Sequence, residues 1–93
     1  FPSKELRNIV DRGKKEIKEG IIIAFCNYEG KVGVAVGITN KLTEKYDAVS
    51  FAKEAAEVLG GKGGGGRKDF AQAGGINKEK IEEAYKGLSK KIS

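Results

Sequence analysis

Histidine is absent from this sequence of 93 residues, and cysteine occurs once, as Cys26. Without histidine the chain lacks the side chain that most often serves as a general base or a metal ligand. A single cysteine excludes an internal disulfide and a cysteine-based zinc cluster, and it is typical of a reducing compartment, so we expect a cytoplasmic location. We also expect no catalytic residue, no metal site and no cofactor in this chain.

The sequence also has no apolar run of 18 residues, so we expect no membrane-spanning helix. Eighteen Lys and Arg residues against thirteen Asp and Glu give a formal net charge of +5. This excess favours a polyanionic partner such as nucleic acid, although many basic surfaces contact only solvent.

The length suits one domain, residues 1–93. Because the chain starts at Phe1 without an initiator methionine, we interpret it as a fragment of a longer protein.

Three segments have apolar residues at helical spacing. The first runs from Ser3 to about Lys18, and the second follows a capping Asp47 and stops at Gly60. The third begins at a capping Asn77 and continues to the end of the chain, with lysines in its last turns. These patterns predict three helices.

Strand signals lie between the first two helices. Ile21–Tyr28, with the sequence IIIAFCNY, is a continuous apolar run that predicts a strand buried on both faces, with Cys26 as a small core residue. Lys31–Ile38 alternates and predicts the returning strand of a hairpin. Because two apolar helices need a wider sheet to cover them, we expect a further short strand near Phe70–Ala73. The predicted fold class is α/β (α+β), a small sheet built on this central hairpin and packed with three helices.

Residues 60–75 read GGKGGGGRKDFAQAGG and form the only low-complexity segment. Gly61, Gly63 and Gly66 fit the pattern G-x-G-x-x-G, but the match follows a helix instead of a strand, so a dinucleotide fold is excluded. The Gly-Lys pair is followed by glycine and not by Ser or Thr, which excludes a P-loop. Two interpretations remain: backbone N–H groups and cations that contact phosphate or ribose, or a structural turn that requires glycine. The chemistry alone favours the structural turn.

The segment LGGKGGGGRKDFAQAGG resembles the C-terminal domain of alanyl-tRNA synthetases, a DHH-associated domain family in which a run of the type Gly-Gly-Lys-Gly-Gly-Gly-Arg-Pro-Asp-Met-Ala-Gln-Ala-Gly-Gly is typical. The resemblance covers nearly the whole chain, including the upstream run LRNIVDRGKKEIKEGIIIAFCNYEGKVGVAVGIT. The matching residues are Gly60, Gly61, Lys62, Gly63, Gly64, Gly65, Arg67, Asp69, Ala71, Gln72, Gly74 and Gly75. Three positions depart from the pattern: Gly66 is an extra glycine, Lys68 replaces proline and Phe70 replaces methionine.

The resemblance implies a domain that binds and positions tRNA(Ala) at its elbow, while other domains of the synthetase carry out aminoacylation and editing. It implies no small-molecule substrate or cofactor here; the parent enzyme would use ATP, magnesium and zinc in other domains. In some members the domain contributes to a homodimer. The candidate RNA-binding residues are Lys62, Gly63, Gly64, Gly65, Arg67, Lys68 and Gln72.

Two alternative functions remain. The domain could dimerise the synthetase through its hairpin or a terminal helix, or it could be the accessory nucleic-acid-binding domain of a DHH-type phosphoesterase. The second branch usually carries a Gly-Gly-His-type motif, and the absence of histidine argues against it. Some candidate residues could also be structural, with Asp69 pairing to Arg67 or capping a backbone turn.

Overall fold

The computed structural model describes residues 3–17, 19–28, 30–61 and 64–92, with the side chains of residues 3–5 and 28 excepted. Its helices and strands are, in chain order, α1 (Ser3–Glu16), β1 (Ile21–Tyr28), β2 (Lys31–Ile38), α2 (Ala48–Val58), β3 (Gly65–Arg67), β4 (Phe70–Gly75) and α3 (Ile81–Ile92). Short 3-10 helices, Asn40–Glu44 and Lys78–Lys80, precede α2 and α3. The predicted fold class, three helices packed on a small sheet, is confirmed.

The four strands form one antiparallel sheet in the order β1-β2-β4-β3. β1 and β2 pair along their full length, with Ile21 opposite Ile38, so the predicted hairpin is confirmed with its bounds. The strand expected near Phe70–Ala73 is also present, as β4, and it pairs with the other side of β2. The short edge strand β3 has no counterpart among the predicted strands.

The sheet is covered on both faces. A larger core lies against α2 and α3 and includes Val34, Val36 and Phe51, whereas a smaller core lies against α1 and includes Leu6 and Val10. Alternate residues of β1 join the two cores, so this strand packs on both faces as predicted. Those residues are Ile21, Ile23 and Phe25 on the larger core, and Ile22, Ala24 and Cys26 on the smaller one. Their side chains, including that of Cys26, are half-buried rather than buried, because β1 is an edge strand of the sheet.

Helix α1 approaches β2 closely because small residues of β2 face it. The buried side chain of Val10 lies where a Cβ atom on Gly37 would be, and a Cβ atom on Gly33 would lie 3.1 Å from Cδ1 of Leu6. Side chains at these two positions would push the helix away from the sheet. The two glycines therefore determine how deeply α1 packs.

Two of the predicted helix boundaries are confirmed and one is wrong. The backbone N–H of Val49 donates to Oδ1 of Asp47 over 2.9 Å, so Asp47 caps α2 as expected. Gly60 ends this helix with a φ of +76°, the conformation that favours glycine after a helix. Asn77, in contrast, precedes a 3-10 turn and not α3 itself, and its side chain makes no capping hydrogen bond. The predicted end of the first helix near Lys18 lies outside the described residues.

In the part of the chain that the structure describes, no helix is both long enough and apolar enough to cross a bilayer.

Candidate nucleic-acid interface

Most of the predicted site residues lie together at one edge of the sheet. Lys62 and Gly63 are outside the described residues. The other five lie just before β3, on β3, in the turn that follows it or on β4: Gly64, Gly65, Arg67, Lys68 and Gln72.

The glycine-rich segment lies directly against β4, because it has no side chains at the points of contact. A Cβ atom on Gly61 would overlap the carbonyl oxygen of Gly74, and one on Gly64 would overlap the carbonyl oxygen of Gln72. A Cβ atom on Gly65 would meet no described atom within 4 Å. These contacts favour the structural interpretation for Gly61 and Gly64, whereas the exposed Gly65 is accessible to a ligand.

The turn between β3 and β4 is held by backbone hydrogen bonds to two other elements. Arg67 pairs with Phe70, which leaves Lys68 and Asp69 as a two-residue turn. The carbonyl of Asp69 accepts from the N–H of Ile38 over 2.8 Å, and the carbonyl of Lys68 accepts from the N–H of Ala48 over 3.0 Å. A proline in place of Lys68 would keep this carbonyl acceptor. The turn therefore has a fixed position relative to β2 and α2.

Asp69 connects this turn to α1. Its carboxylate lies 3.4 Å from Nε of Arg67 and 3.6 Å from Nζ of Lys14. The side chain of Lys14 is only 19% exposed and that of Asp69 is 33% exposed, so solvent screens this pair less than a typical surface pair. The local pairing of Asp69 with Arg67, one of the two structural alternatives for Asp69, is thus present. Arg67 nevertheless remains 70% exposed.

A second arginine, Arg7 of α1, lies beside the same turn. Its Cζ atom is 5.1 Å from the ring centroid of the buried Phe70, within range of a cation–π contact. Its Nε atom lies 4.0 Å from Oδ2 of Asp11, one turn further along the helix. Arg7 is not among the predicted site residues. Its position beside Phe70, the cross-strand partner of Arg67, depends on how α1 packs on the sheet. The only related signal in the sequence is the general excess of positive charge.

Successive side chains of β4 lie on opposite faces of the sheet, and α1 covers one of these faces. Phe70 packs into the smaller core below α1, whereas Ala71 and Ala73 pack into the larger core on the other face. The side chains of this segment therefore alternate between the two faces, as they do in a regular strand. Gln72, two residues after Phe70, lies on the α1 face and is half-buried.

Two lysines belong to the same region. Lys14, Lys41 and Asp69 line a groove between the end of α1, the first 3-10 helix and the turn. We call the whole region the α1–turn surface, defined by the cations Arg7, Lys14, Lys41, Arg67 and Lys68 together with the carboxylates of Asp11 and Asp69. Cations outnumber carboxylates on it, so it attracts polyanions. Within the described ranges, no group of three or more cysteine or carboxylate residues could hold a metal ion.

Comparison with known proteins connects this geometry to a family. The family profile described as the DHHA1 domain matches residues 1–93. The alanine–tRNA ligase of Hyphomonas neptunium is 48% identical over 85 residues, which cover 91% of this chain and 10% of the ligase. That of Bradyrhizobium diazoefficiens is 44% identical over 91 residues, which cover 97% of this chain and 10% of the ligase. The chain thus spans about a tenth of the length of these curated relatives.

A solved structure shows the same architecture. The C-Ala domain from Aquifex aeolicus alanyl-tRNA synthetase superposes with a TM-score of 0.90 and 32% sequence identity, covering 97% of this chain and 80% of that one. The resemblance carried by the glycine-rich segment is therefore confirmed over the whole fold. The chain belongs to the DHHA1 domain family, and within it is similar to the C-Ala domain of alanyl-tRNA synthetase.

Proposed function

We propose that this domain binds tRNA(Ala) at the elbow as part of an alanine–tRNA ligase, and that it positions the tRNA for aminoacylation and editing by other domains. The observation that supports this most is the α1–turn surface, which places exposed cations around the segment that the chain shares with its family. Any ATP, magnesium or zinc would be used elsewhere in the parent protein.

The chemistry of the α1–turn surface suits an RNA backbone. Lys and Arg side chains that neutralise phosphates release counterions, and this release supplies most of the sequence-independent affinity for nucleic acid. Phosphate contacts also fix the orientation of the bound molecule, and orientation is what a positioning domain must provide. Arg67 is well exposed, and the open backbone at Gly65 lies two residues before it on the same edge of the sheet.

The proposal is tested by titrating the 93-residue chain with a tRNA(Ala) transcript over a series of salt concentrations. We expect the logarithm of the association constant to fall linearly with the logarithm of the salt concentration, by about 0.7 to 0.9 per phosphate contact. A minihelix without the elbow and an unstructured RNA of the same length serve as comparisons, and both should bind more weakly. Absence of binding to the tRNA at low salt would overturn the proposal, and equal affinity for all three RNAs would overturn recognition of the elbow.

A second candidate function is dimerisation. It is favoured by an apolar groove beside β1, at the edge of the sheet opposite β3. The groove lies between β1 and α3, and its lining residues are Ile21, Ile22, Ile23, Tyr85, Ser89 and Ile92. Tyr85 is 52% exposed, and Ile92 is exposed as well. β1 contains no charged residue, and its outer edge pairs with none of the described strands. Uncharged edge strands and apolar surface patches are features that a second copy of the chain could cover.

Analytical ultracentrifugation over a range of concentrations tests this second candidate. We expect the mass to rise with concentration and the Tyr85→Glu variant to remain monomeric, because a carboxylate in the interface would lose its hydration. Ile76→Glu is the matched control, since Ile76 is an exposed apolar residue outside the groove. A wild-type chain that stays monomeric at every concentration would exclude dimerisation through this domain.

A further inference from the structure

We propose that Arg7 and Arg67 form a two-arginine clamp that binds the phosphates of an RNA backbone above Phe70. This inference rests on the proposed tRNA-binding function. It extends the RNA contact from the glycine-rich segment to helix α1, which contributes none of the candidate residues from the sequence.

Phe70 is the residue that relates the two arginines: Arg7 contacts its ring, and Arg67 is its partner on the neighbouring strand. Arg67 is the cross-strand partner of Phe70, and directly paired residues in an antiparallel sheet point to the same face with Cβ atoms about 5 Å apart. Arg7 reaches Phe70 from the helix above, with Cζ 5.1 Å from the ring centroid. The fold therefore places two arginines from distant parts of the sequence on the same face of the sheet, each adjacent to Phe70.

Each guanidinium group also lies near a carboxylate. In both cases the atom that approaches the carboxylate is Nε: it lies 4.0 Å from Asp11 in Arg7 and 3.4 Å from Asp69 in Arg67. A guanidinium group has five N–H donors in a planar fork, so contact at Nε leaves donors on the terminal nitrogens for a ligand. The side chains are 55% and 70% exposed, so a phosphate can reach them.

The supports of the clamp are themselves fixed. Phe70 is buried in the smaller core, and Asp69 is held by Lys14 as well as by a backbone hydrogen bond from Ile38. A side chain that is already ordered loses less conformational entropy when a ligand binds. Two exposed arginines on one face favour a ligand with more than one negative charge, such as consecutive phosphates of an RNA strand.

The test compares variants that all remove one positive charge. Arg7→Ala, Arg67→Ala and the control Arg12→Ala are titrated with the tRNA(Ala) transcript over a salt series. Arg12 is exposed on the same helix, about 140° around the axis from Arg7. We expect Arg7→Ala and Arg67→Ala each to weaken binding about tenfold, since each loses a charge-assisted hydrogen bond. Each should also lower the salt slope by about 0.7 to 0.9, whereas Arg12→Ala should change little.

Lysine variants separate the clamp from simple charge. Arg7→Lys and Arg67→Lys keep the charge but lose the planar fork, so we expect them to recover only part of the affinity. Thermal unfolding of every variant checks the fold. If Arg7→Ala is unstable, Arg7→Gln also removes the positive charge and keeps most of the contact with Phe70, so its affinity for tRNA is measured instead.

The possible results distinguish the clamp from the proposed function. If the wild-type chain does not bind the tRNA, the proposed function is wrong. If the wild-type chain binds and Arg12→Ala weakens binding as much as Arg7→Ala does, the function stands and the clamp is overturned. The clamp is also overturned if Arg7→Ala binds like the wild-type chain while Arg67→Ala does not.

Discussion

The ammonium group of Lys14 donates a hydrogen bond over 3.0 Å to the backbone carbonyl of Asp69, a residue 55 positions further along the chain. The same ammonium group lies 3.6 Å from the Asp69 carboxylate, and this carboxylate also pairs with Arg67. Asp69 thus connects helix α1 to the tip of the β3–β4 hairpin. A carboxylate on a surface proposed to bind RNA would ordinarily oppose binding, but this one holds two of the cations in place.

This position of Asp69 leads to a prediction for the Asp69→Asn variant. The loss of one negative charge should favour tRNA binding, whereas the loss of the ion pairs should oppose it. Asp69→Asn should lower the free energy of unfolding by about 0.5 to 1 kcal/mol, since it removes two partly exposed ion pairs. It should also weaken tRNA binding, even though the chain becomes more positive, because Arg67 and Lys14 lose the negative charge that they share. Fluorescence anisotropy with labelled tRNA measures the affinity, and chemical denaturation measures the stability.

Glu57→Gln is the control for Asp69→Asn, because it makes the same change of charge at an exposed position of α2. It should leave affinity unchanged or raise it slightly. Equal gains of affinity in both variants would show that Asp69 acts only as a repulsive charge.

The two interpretations of the glycine-rich segment can be separated at neighbouring residues. Gly64→Ala should destabilise the domain by about 1 to 3 kcal/mol, because its methyl group would overlap the carbonyl oxygen of Gln72. Gly65→Ala should change the stability far less, since a Cβ atom there meets no described atom within 4 Å. Urea denaturation of the two variants gives the comparison. Similar stability in both would contradict the close packing of Gly64 on β4.

The packing of α1 on β2 gives a further prediction. Gly37→Ala should destabilise the domain by about 1 to 3 kcal/mol, because the added methyl group would overlap Val10 and force α1 away from the sheet. Hydrogen exchange should show reduced protection in α1 and little change in α2, which packs on the other face. A variant with wild-type protection throughout α1 would show that the helix adjusts without loss of packing.

Replacing Gly87 should raise the stability of the domain, in contrast to the replacements of Gly64 and Gly37. It lies within α3, where a Cβ atom would meet no described atom within 4 Å. Gly87→Ala should therefore stabilise the domain by about 0.5 to 1 kcal/mol, since alanine loses less backbone entropy than glycine in a helix. A rise in the midpoint of thermal unfolding would confirm this, and a fall would mean that the methyl group meets an obstacle there.

The sequence predicts the central hairpin well, because Ile21–Tyr28 and Lys31–Ile38 combine β-branched residues with a short turn. It does not indicate β3, since two of the three residues of this strand are glycines and show no side-chain alternation. The prediction for Asn77 is wrong for a local reason: a good capping residue can also begin a 3-10 turn, and composition does not distinguish the two. Such boundaries depend on tertiary packing.

Only part of the candidate site could be predicted from the sequence. The glycine-rich segment and Arg67 follow from the resemblance to a family, because that signal is continuous in the sequence. Arg7 does not, since nothing in the pattern of α1 distinguishes an arginine above Phe70 from one that contacts only solvent. Its position beside Phe70 becomes visible only once Leu6 and Val10 place the helix on the sheet.

The order of strands in the sheet has a consequence for folding. β1 and β2 are joined by a tight turn, whereas β4 pairs with β2 only after the chain between Ile38 and Phe70 has formed a loop that includes α2. Closing a long loop costs more entropy than closing a short one, so we expect the hairpin to form early and β4 to join later. During refolding, tRNA binding should then recover after most of the circular dichroism signal, and simultaneous recovery would contradict this order. Arg7 and Arg67 would share one face of the sheet only in the completed domain, so a nascent or partly folded chain would lack the clamp.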